Sequence, residues 1–273
     1  MSEEKLIDIL HQLKVEELEW DEVNVDQLVD SMINNIQTIE VSEREKTVIP
    51  ILIEIIHKHM SDESLEALAL RCVKEDHLYS DIGDTESSNK ITRAFSMLIL
   101  KELLNRDAKD VFMSNPTFDR VRKEVLLYID LEQDYRSYNV ELGWVNSITY
   151  SIDAIHEMIK NTRLDPNLHT EMFQILVNKM FTFQNQYQFD EEEHTVDAIQ
   201  ELLKKGFSEK KLIDFFARVP AFLEKQKEKL NPFQYWNLYK NCKQLLMTMY
   251  VKMDLEKTNP LLFTEVKNCL TKL

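Results

Sequence analysis

Residues 130–159 read DLEQDYRSYNVELGWVNSITYSIDAIHEMI. Gly143-Trp144 is expected to open a helix from about Leu142. Along it Trp144, Ile148, Ile152, Ile155 and Ile159 recur at i, i+4, i+8, i+11 and i+15, a core-facing stripe. Asn146, Tyr150, Asp153 and Glu157 fall on the opposite face. The plain reading is a surface helix with a solvated polar side. The sharper reading is a helix that lines a cleft with that side, and the pattern favours the plain one. Just upstream, Glu132, Asp134, Arg136 and Tyr138 form a dense acid–arginine–aromatic cluster. One of only three glycines in the 273 residues is spent at this point.

Glycine scarcity extends the helical reading outward. Three glycines and six prolines leave few turn-formers, and Leu, Ile, Glu, Lys and Met are abundant. Hydrophobic content of 44% and charged content of 30% fit a globular chain long enough to bury a full core. The net charge of −15 argues against DNA, RNA or an anionic membrane as main partner, because phosphate binding needs a clustered positive field. Residues 1–30 hold ten acids and two lysines, read as a solvated face. Cys72, Cys242 and Cys269 form no C-x-x-C pair, which fits reduced thiols in a cytoplasmic protein. The acidic N-terminus has no signal-peptide pattern, and no apolar run reaches about 18 residues.

Taken in order, Ser2 caps a first helix to about Leu13, and a second covers roughly Val25 to Thr38. Ser42 and Glu45 suggest a capping box for a third. Ser61 or Asp62 starts a fourth, followed by the loop EDHLYSDIGDTESSN at residues 75–89. A fifth, near Asn89 to Asn105, is apolar almost all round and is expected to be buried. It carries Arg93, whose charge requires a carboxylate; Asp84, Asp134, Asp153 and Glu192 are the candidates. Pro116 opens a helix into Asp130. Asp165-Pro166 opens one to about Gln186, and Asp190 with Glu193 suggests a capping box for one ending at Gly206. Ser208, Pro220, Pro232 and Pro260 mark four more starts. Lysines 225, 227, 229, 240 and 243 interleave with Phe233, Tyr235, Trp236 and Tyr239, which are read as core aromatics beside a solvated face rather than a nucleic-acid patch.

The expectation is an all-α chain of about twelve helices in antiparallel pairs, a HEAT-like α-solenoid or an irregular helical bundle. Residues 1–273 are read as a single helical domain without a clear boundary.

Several motifs resemble an uncharacterised bacterial family, domain of unknown function 2785. Asp76-His77-Leu78-Tyr79 with Ile82-Gly83-Asp84 is similar to its loop, and Arg93-Ala94-Phe95-Ser96 with Leu98-Ile99-Leu100 to its buried helix. Glu132, Asp134, Arg136 and Tyr138 resemble its E-x-D-x-R-G-Y, and Gly143-Trp144 its G-W-x-H-x-x-x-H-x-x-D. Glu192 with Ala198-Ile199 resembles a later helix. The resemblance covers about residues 25–218, with helices 219–273 expected to pack on that region. It implies an all-helical fold and a bacterial cytoplasmic origin, and no activity. Asn146 and Tyr150 stand where the family motif has histidines, Ser137 where it has glycine, Asp84 where it has glutamate and His194 where it has arginine. Asparagine and tyrosine do not make a zinc pair, so no metal is expected there.

No P-loop, G-x-G-x-x-G, H-E-x-x-H or G-x-S-x-G occurs, and no cofactor or catalytic residue is assigned. Two readings follow. The favoured one is a non-enzymatic scaffold that binds a protein or peptide, its polar cluster a buried ion-pair network. The alternative is a pocket for a small anionic ligand, with Arg93 and Arg136 as clamp, Trp144 and Tyr150 as walls, and Asp153 or Glu192 reading a polar group; a degenerate enzyme is the weaker version of this alternative. Asp84, Asp134 and Asn146 complete that candidate cleft.

Overall fold

Caps and stripes dictate helix almost everywhere in the computed structural model, which describes residues 1–85 and 87–273. Glu86, inside the long loop, lies outside the described residues. The chain is 69% helical and all-α, as its composition leads one to expect. It divides into two compact units, Met1–Asn161 and Thr162–Leu273.

In the first unit, Ser2 caps α1 (Glu3–Lys14) and Asn24 caps α2 (Val25–Asn35). The third helix departs from the capping-box expectation. Glu40, not Ser42, caps α3 (Val41–Glu43), which runs through a π-helical turn (Arg44–Val48) into α4 (Ile49–Lys58). Glu45 lies inside that turn, and its carboxylate serves a distant backbone N–H instead. Ser61 caps α5 (Asp62–Cys72), and Ser114 caps α7 (Asn115–Leu131), with Pro116 in its first turn. Between them α6 (Lys90–Lys109) is buried on nearly every side, from Ile91 to Leu104. It packs most closely on α8 (Ser147–Lys160) and also on α5 and α4. Each large apolar side chain so buried contributes about 1.5–3 kcal/mol, so α6 is the axis of this unit.

The helix expected from Leu142 begins five residues later. Gly143-Trp144 forms strand β2, paired antiparallel with β1 (Tyr138–Asn139) in register Tyr138↔Trp144. Ile148, Ile152, Ile155 and Ile159 of α8 are buried as expected. Trp144, outside the helix, is 40% exposed.

In the second unit, Asp165 and Pro166 open a 3-10 turn (Pro166–Leu168) that leads into α9 (His169–Met180). That helix stops short of Gln186. Asn241, far along the chain, holds the following loop: it accepts from the Tyr187 backbone N–H (3.1 Å) and donates to the carbonyls of Thr182 (3.0 Å) and Asn185 (2.8 Å). Helix α10 (Glu191–Lys204) starts without the expected box. Asp190 has φ +61°, left-handed rather than the extended backbone of a side-chain cap, and the Glu191 carboxylate accepts from the Phe189 N–H instead. Helices α11 (Glu209–Phe216), α12 (Val219–Lys227), α13 (Pro232–Glu256) and α14 (Pro260–Thr271) follow. Asn231 and Gln234 form a complete capping box on α13, which packs on α14, α10, α12 and α9.

Candidate functional site

The centre of the first unit is a buried ion pair. Arg93, on the second turn of α6, and Glu132, just past α7, are both 0% exposed. The Arg93 fork donates to both oxygens of Glu132, from Nε at 2.9 Å and Nη2 at 3.3 Å. Its Nη1 donates to the carbonyls of Ser80 (2.8 Å) and Asp81 (3.0 Å), which ties down the loop before α6. Glu132 also accepts from the Tyr128 hydroxyl (2.7 Å) and from the backbone N–H groups of Gln133 and Asp134 (3.0 Å each). Burial, then the neighbouring Glu132 charge, pushes the Tyr128 phenol well up. Burial alone would lower the Arg93 pKa, but the Glu132 carboxylate outweighs it and raises it.

Arg93 is therefore buried on a carboxylate, as its place in an apolar helix requires, but the acid is not one of the four candidates. Tyr128 and Glu132 are one helical turn apart. The end of α7 aims both at the same point, and the turn after Leu131 folds the carboxylate back onto its own backbone.

A second ion pair continues the first. Asp134 accepts from Lys90 Nζ (3.0 Å) and from Arg136 through Nε and Nη2 (2.9 Å each). Arg136 Nη2 also donates to the Thr85 carbonyl at 2.6 Å. Burial raises the Asp134 pKa, but hydrogen bonds from Arg136 and Lys90 more than offset that and hold it below its ordinary value. The hairpin beyond is anchored from α3 and the π turn. The Arg44 guanidinium donates to the Leu142 carbonyl, and Glu45 Oε1 accepts from the Trp144 N–H at 3.0 Å. Gly143, at φ +68°, is the residue this approach requires: a Cβ there would lie 2.5 Å from Glu45 Oε1 and from Val41 Cγ1.

On the polar face of α8, Asn146 has φ +54° and Tyr150 is one turn on. Burial raises the Tyr150 pKa; Asn146 and Lys101 soften the shift, and Asp153 and Glu45 add to it. Asn146, Tyr150 and Asp153 thus share a neighbourhood with Lys101 of α6. Lys101 donates to Glu102 (2.7 Å), whose other oxygen meets His57 Nε2 at 2.9 Å. Burial raises the Glu102 pKa, but His57 and Lys101 outweigh it and lower it. Among the described residues, no group of three His, Cys, Asp or Glu side chains is placed to hold a metal ion.

Two sequence candidates remain. Asp84 lies in the loop and accepts from the Ser87 N–H at 3.2 Å. Glu192 belongs to the second unit, buried in the first turn of α10, with Oε2 lacking a hydrogen-bond partner. Burial, with Asp190, Glu191 and Glu193 adding, raises its pKa.

One surface was misread from the sequence. Phe233 is 74% exposed and Leu255 76%, and Trp236, Met247 and Val251 are each about half exposed. Together with the exposed Lys240 and Lys243 they form one stripe along the 25 residues of α13. Tyr235, Tyr239, Cys242 and Leu246 recur at i, i+4, i+7 and i+11 on an inner face, and at 100° per residue the exposed stripe lies roughly 130° round from it. That offset was the available signal: Phe233 and Trp236 lie off the face that Tyr235, Tyr239, Cys242 and Leu246 define.

A search of curated proteins and of solved structures found no match. The model of the family described as "Protein of unknown function (DUF2785)" matches residues 78–251, beginning and ending later than the motifs suggest, and the chain belongs to that family.

Proposed function

We propose that this chain is a non-catalytic helical binding module for a protein or peptide, and that its partner is an amphipathic helix with acids at its centre and apolar ends. The observation that carries this is the α13 stripe. Phe233 and Trp236 stand at one end, Met247, Val251 and Leu255 at the other, and Lys240 and Lys243 between. The steps are three or four residues, the spacing at which one helix seats on another. Large exposed apolar surface of this kind marks interaction sites. A second copy of α13 fits less well. Paired parallel, each lysine meets its own copy; paired antiparallel about the stripe's middle, Lys243 meets Lys243.

The alternative, a small anion clamped by Arg93 and Arg136, is disfavoured because each fork already grips a carboxylate through two nitrogens. A cytoplasmic setting agrees with three buried cysteines that are all free thiols. No helix is long and apolar enough to cross a membrane among the described residues.

The test is selection from a displayed library of amphipathic helical peptides. Enriched sequences should carry Asp or Glu at the middle turns, and Trp236→Ala with Leu255→Ser should abolish their binding. Lys240→Glu with Lys243→Glu should switch the preference to basic centres. No enrichment over scrambled sequences, or binding indifferent to Trp236→Ala, refutes the reading.

A further inference from the structure

The second unit contains a cavity of about 350 Å³ lined by Asn178, Phe181, Phe215, Arg218, Val219 and Phe222. It lies where the end of α9 meets the junction of α11 and α12. Three phenyl rings make its wall. Phe181 stands 5.7 Å from Phe215 and 6.3 Å, stacked, from Phe222. Phe173 backs Phe215 edge-on at 5.1 Å, so the wall is held from behind. All three wall rings are only half-buried and line the cavity.

The polar equipment is sparse and one-sided. Arg218 lines the cavity, and its Nε donates to the Asp214 carbonyl at 2.8 Å. Asn178, exposed, supplies one amide. The local charge agrees: residues 204–229 hold eight Lys and Arg against four Asp and Glu, in a chain whose net charge is −15.

We propose that this cavity binds a small hydrophobic monocarboxylate, an aryl-alkyl or medium-chain alkyl acid. Its apolar body lies on Phe181, Phe215 and Phe222, and its carboxylate takes the Arg218 Nη groups. A planar carboxylate matches a guanidinium fork in two parallel hydrogen bonds. An amine is repelled by the same group, and a neutral amphiphile leaves the fork unused. The volume sits at the low end of the range of about 300–1,000 Å³ for ligand pockets, which suits a small ligand. This site shares no residue with the α13 stripe and does not rest on the reading given to it.

The experiment is calorimetric titration of the full chain with octanoate and with hydrocinnamate, against octanamide as the neutral isostere. Arg218→Gln and Arg218→Lys are run in parallel, since Arg218 is exposed and its replacement leaves the core intact. Saturable one-site binding of both acids is expected, at least about ten-fold tighter than the amide. Arg218→Gln should lose about ten-fold or more, a change of about 1.4 kcal/mol, and Arg218→Lys should fall between. Equal binding of octanoate and octanamide, wild-type affinity in Arg218→Gln, or no saturable binding up to the solubility limit of the acids overturns the proposal.

Discussion

Replacing Glu132 by alanine tests the buried ion pair directly. The wild-type carboxylate, 0% exposed, accepts from Arg93 twice, from the Tyr128 hydroxyl and from two backbone N–H groups, and the alanine leaves all of these donors without that acceptor. Removing one partner of a buried pair costs about 3–5 kcal/mol. A unit of this size shifts by roughly 2–4 °C per kcal/mol, so the melting temperature should fall by roughly 6–20 °C. Urea unfolding followed by far-ultraviolet circular dichroism measures the loss. The double variant Arg93→Met with Glu132→Leu should recover much of it, because an apolar pair of similar shape leaves no buried charge behind. A loss under about 1 kcal/mol for Glu132→Ala, or double-variant effects that add within about 0.5 kcal/mol, would show that the pair does not hold α6 to the end of α7.

Four further outcomes follow from the same geometry. The folded pKa of Asp134 is depressed, so its contribution is full above the ordinary value of about 3.9 and is lost as pH falls through the folded pKa. Asp134→Asn should therefore be less stable than wild type at neutral pH, and the two melting curves should converge in acid; a gap independent of pH contradicts this. Glu192 has the opposite sign: its pKa is raised, so ionisation penalises the folded state at neutral pH. Glu192→Gln should melt higher at pH 7, with the gain vanishing as pH falls below about 4, and a lower melting temperature at pH 7 counts against it. Gly143→Ala forces a Cβ onto Glu45 and Val41 at positive φ and should cost about 1–3 kcal/mol, measured by urea unfolding; no loss means the hairpin is free to shift. Purified protein should carry no stoichiometric zinc or iron by elemental analysis, and metal that disappears in Asn146→Ala or Tyr150→Ala would restore a metal role to those positions.

The fold was legible because it rests on redundant signals. Ser2 and Ser61 cap the helices they precede, Pro116 stands in the first turn of α7, and the isoleucines of α8 lie where their spacing puts them. Errors fell where something outside a local pattern overrode it. Glu45 has the spacing of a capping-box acid, but a tertiary N–H from Trp144 claims it, at a separation of 99 residues that no local pattern contains. Trp144 fits the α8 stripe by arithmetic, yet the left-handed turn at Asn146 breaks the period before it reaches the tryptophan. The polar cluster was legible as a cluster and illegible in its pairing. Charge and burial require that Arg93 find an acid, and several acids satisfy the requirement equally until the end of α7 is placed.

That difference between requirement and pairing bears on which residues act on other molecules. Arg93 and Glu132 draw the eye in the sequence because a charge in an apolar helix is rare. The same rarity obliges the chain to satisfy them itself, since leaving one partner of a buried ion pair unpaired costs about 3–5 kcal/mol. A group whose bonds are all made during folding has little left to offer a ligand. Phe233, Trp236 and Leu255 have the reverse character. They look ordinary in a helix already supplied with a core stripe, yet nothing in the packing of α13 on α14, α10, α12 and α9 buries them. Their replacement by polar residues should leave the unfolding free energy within about 0.5 kcal/mol of wild type while removing peptide binding. The variants at Arg93 and Glu132 should do the opposite, lowering stability and leaving the affinity of the folded fraction unchanged.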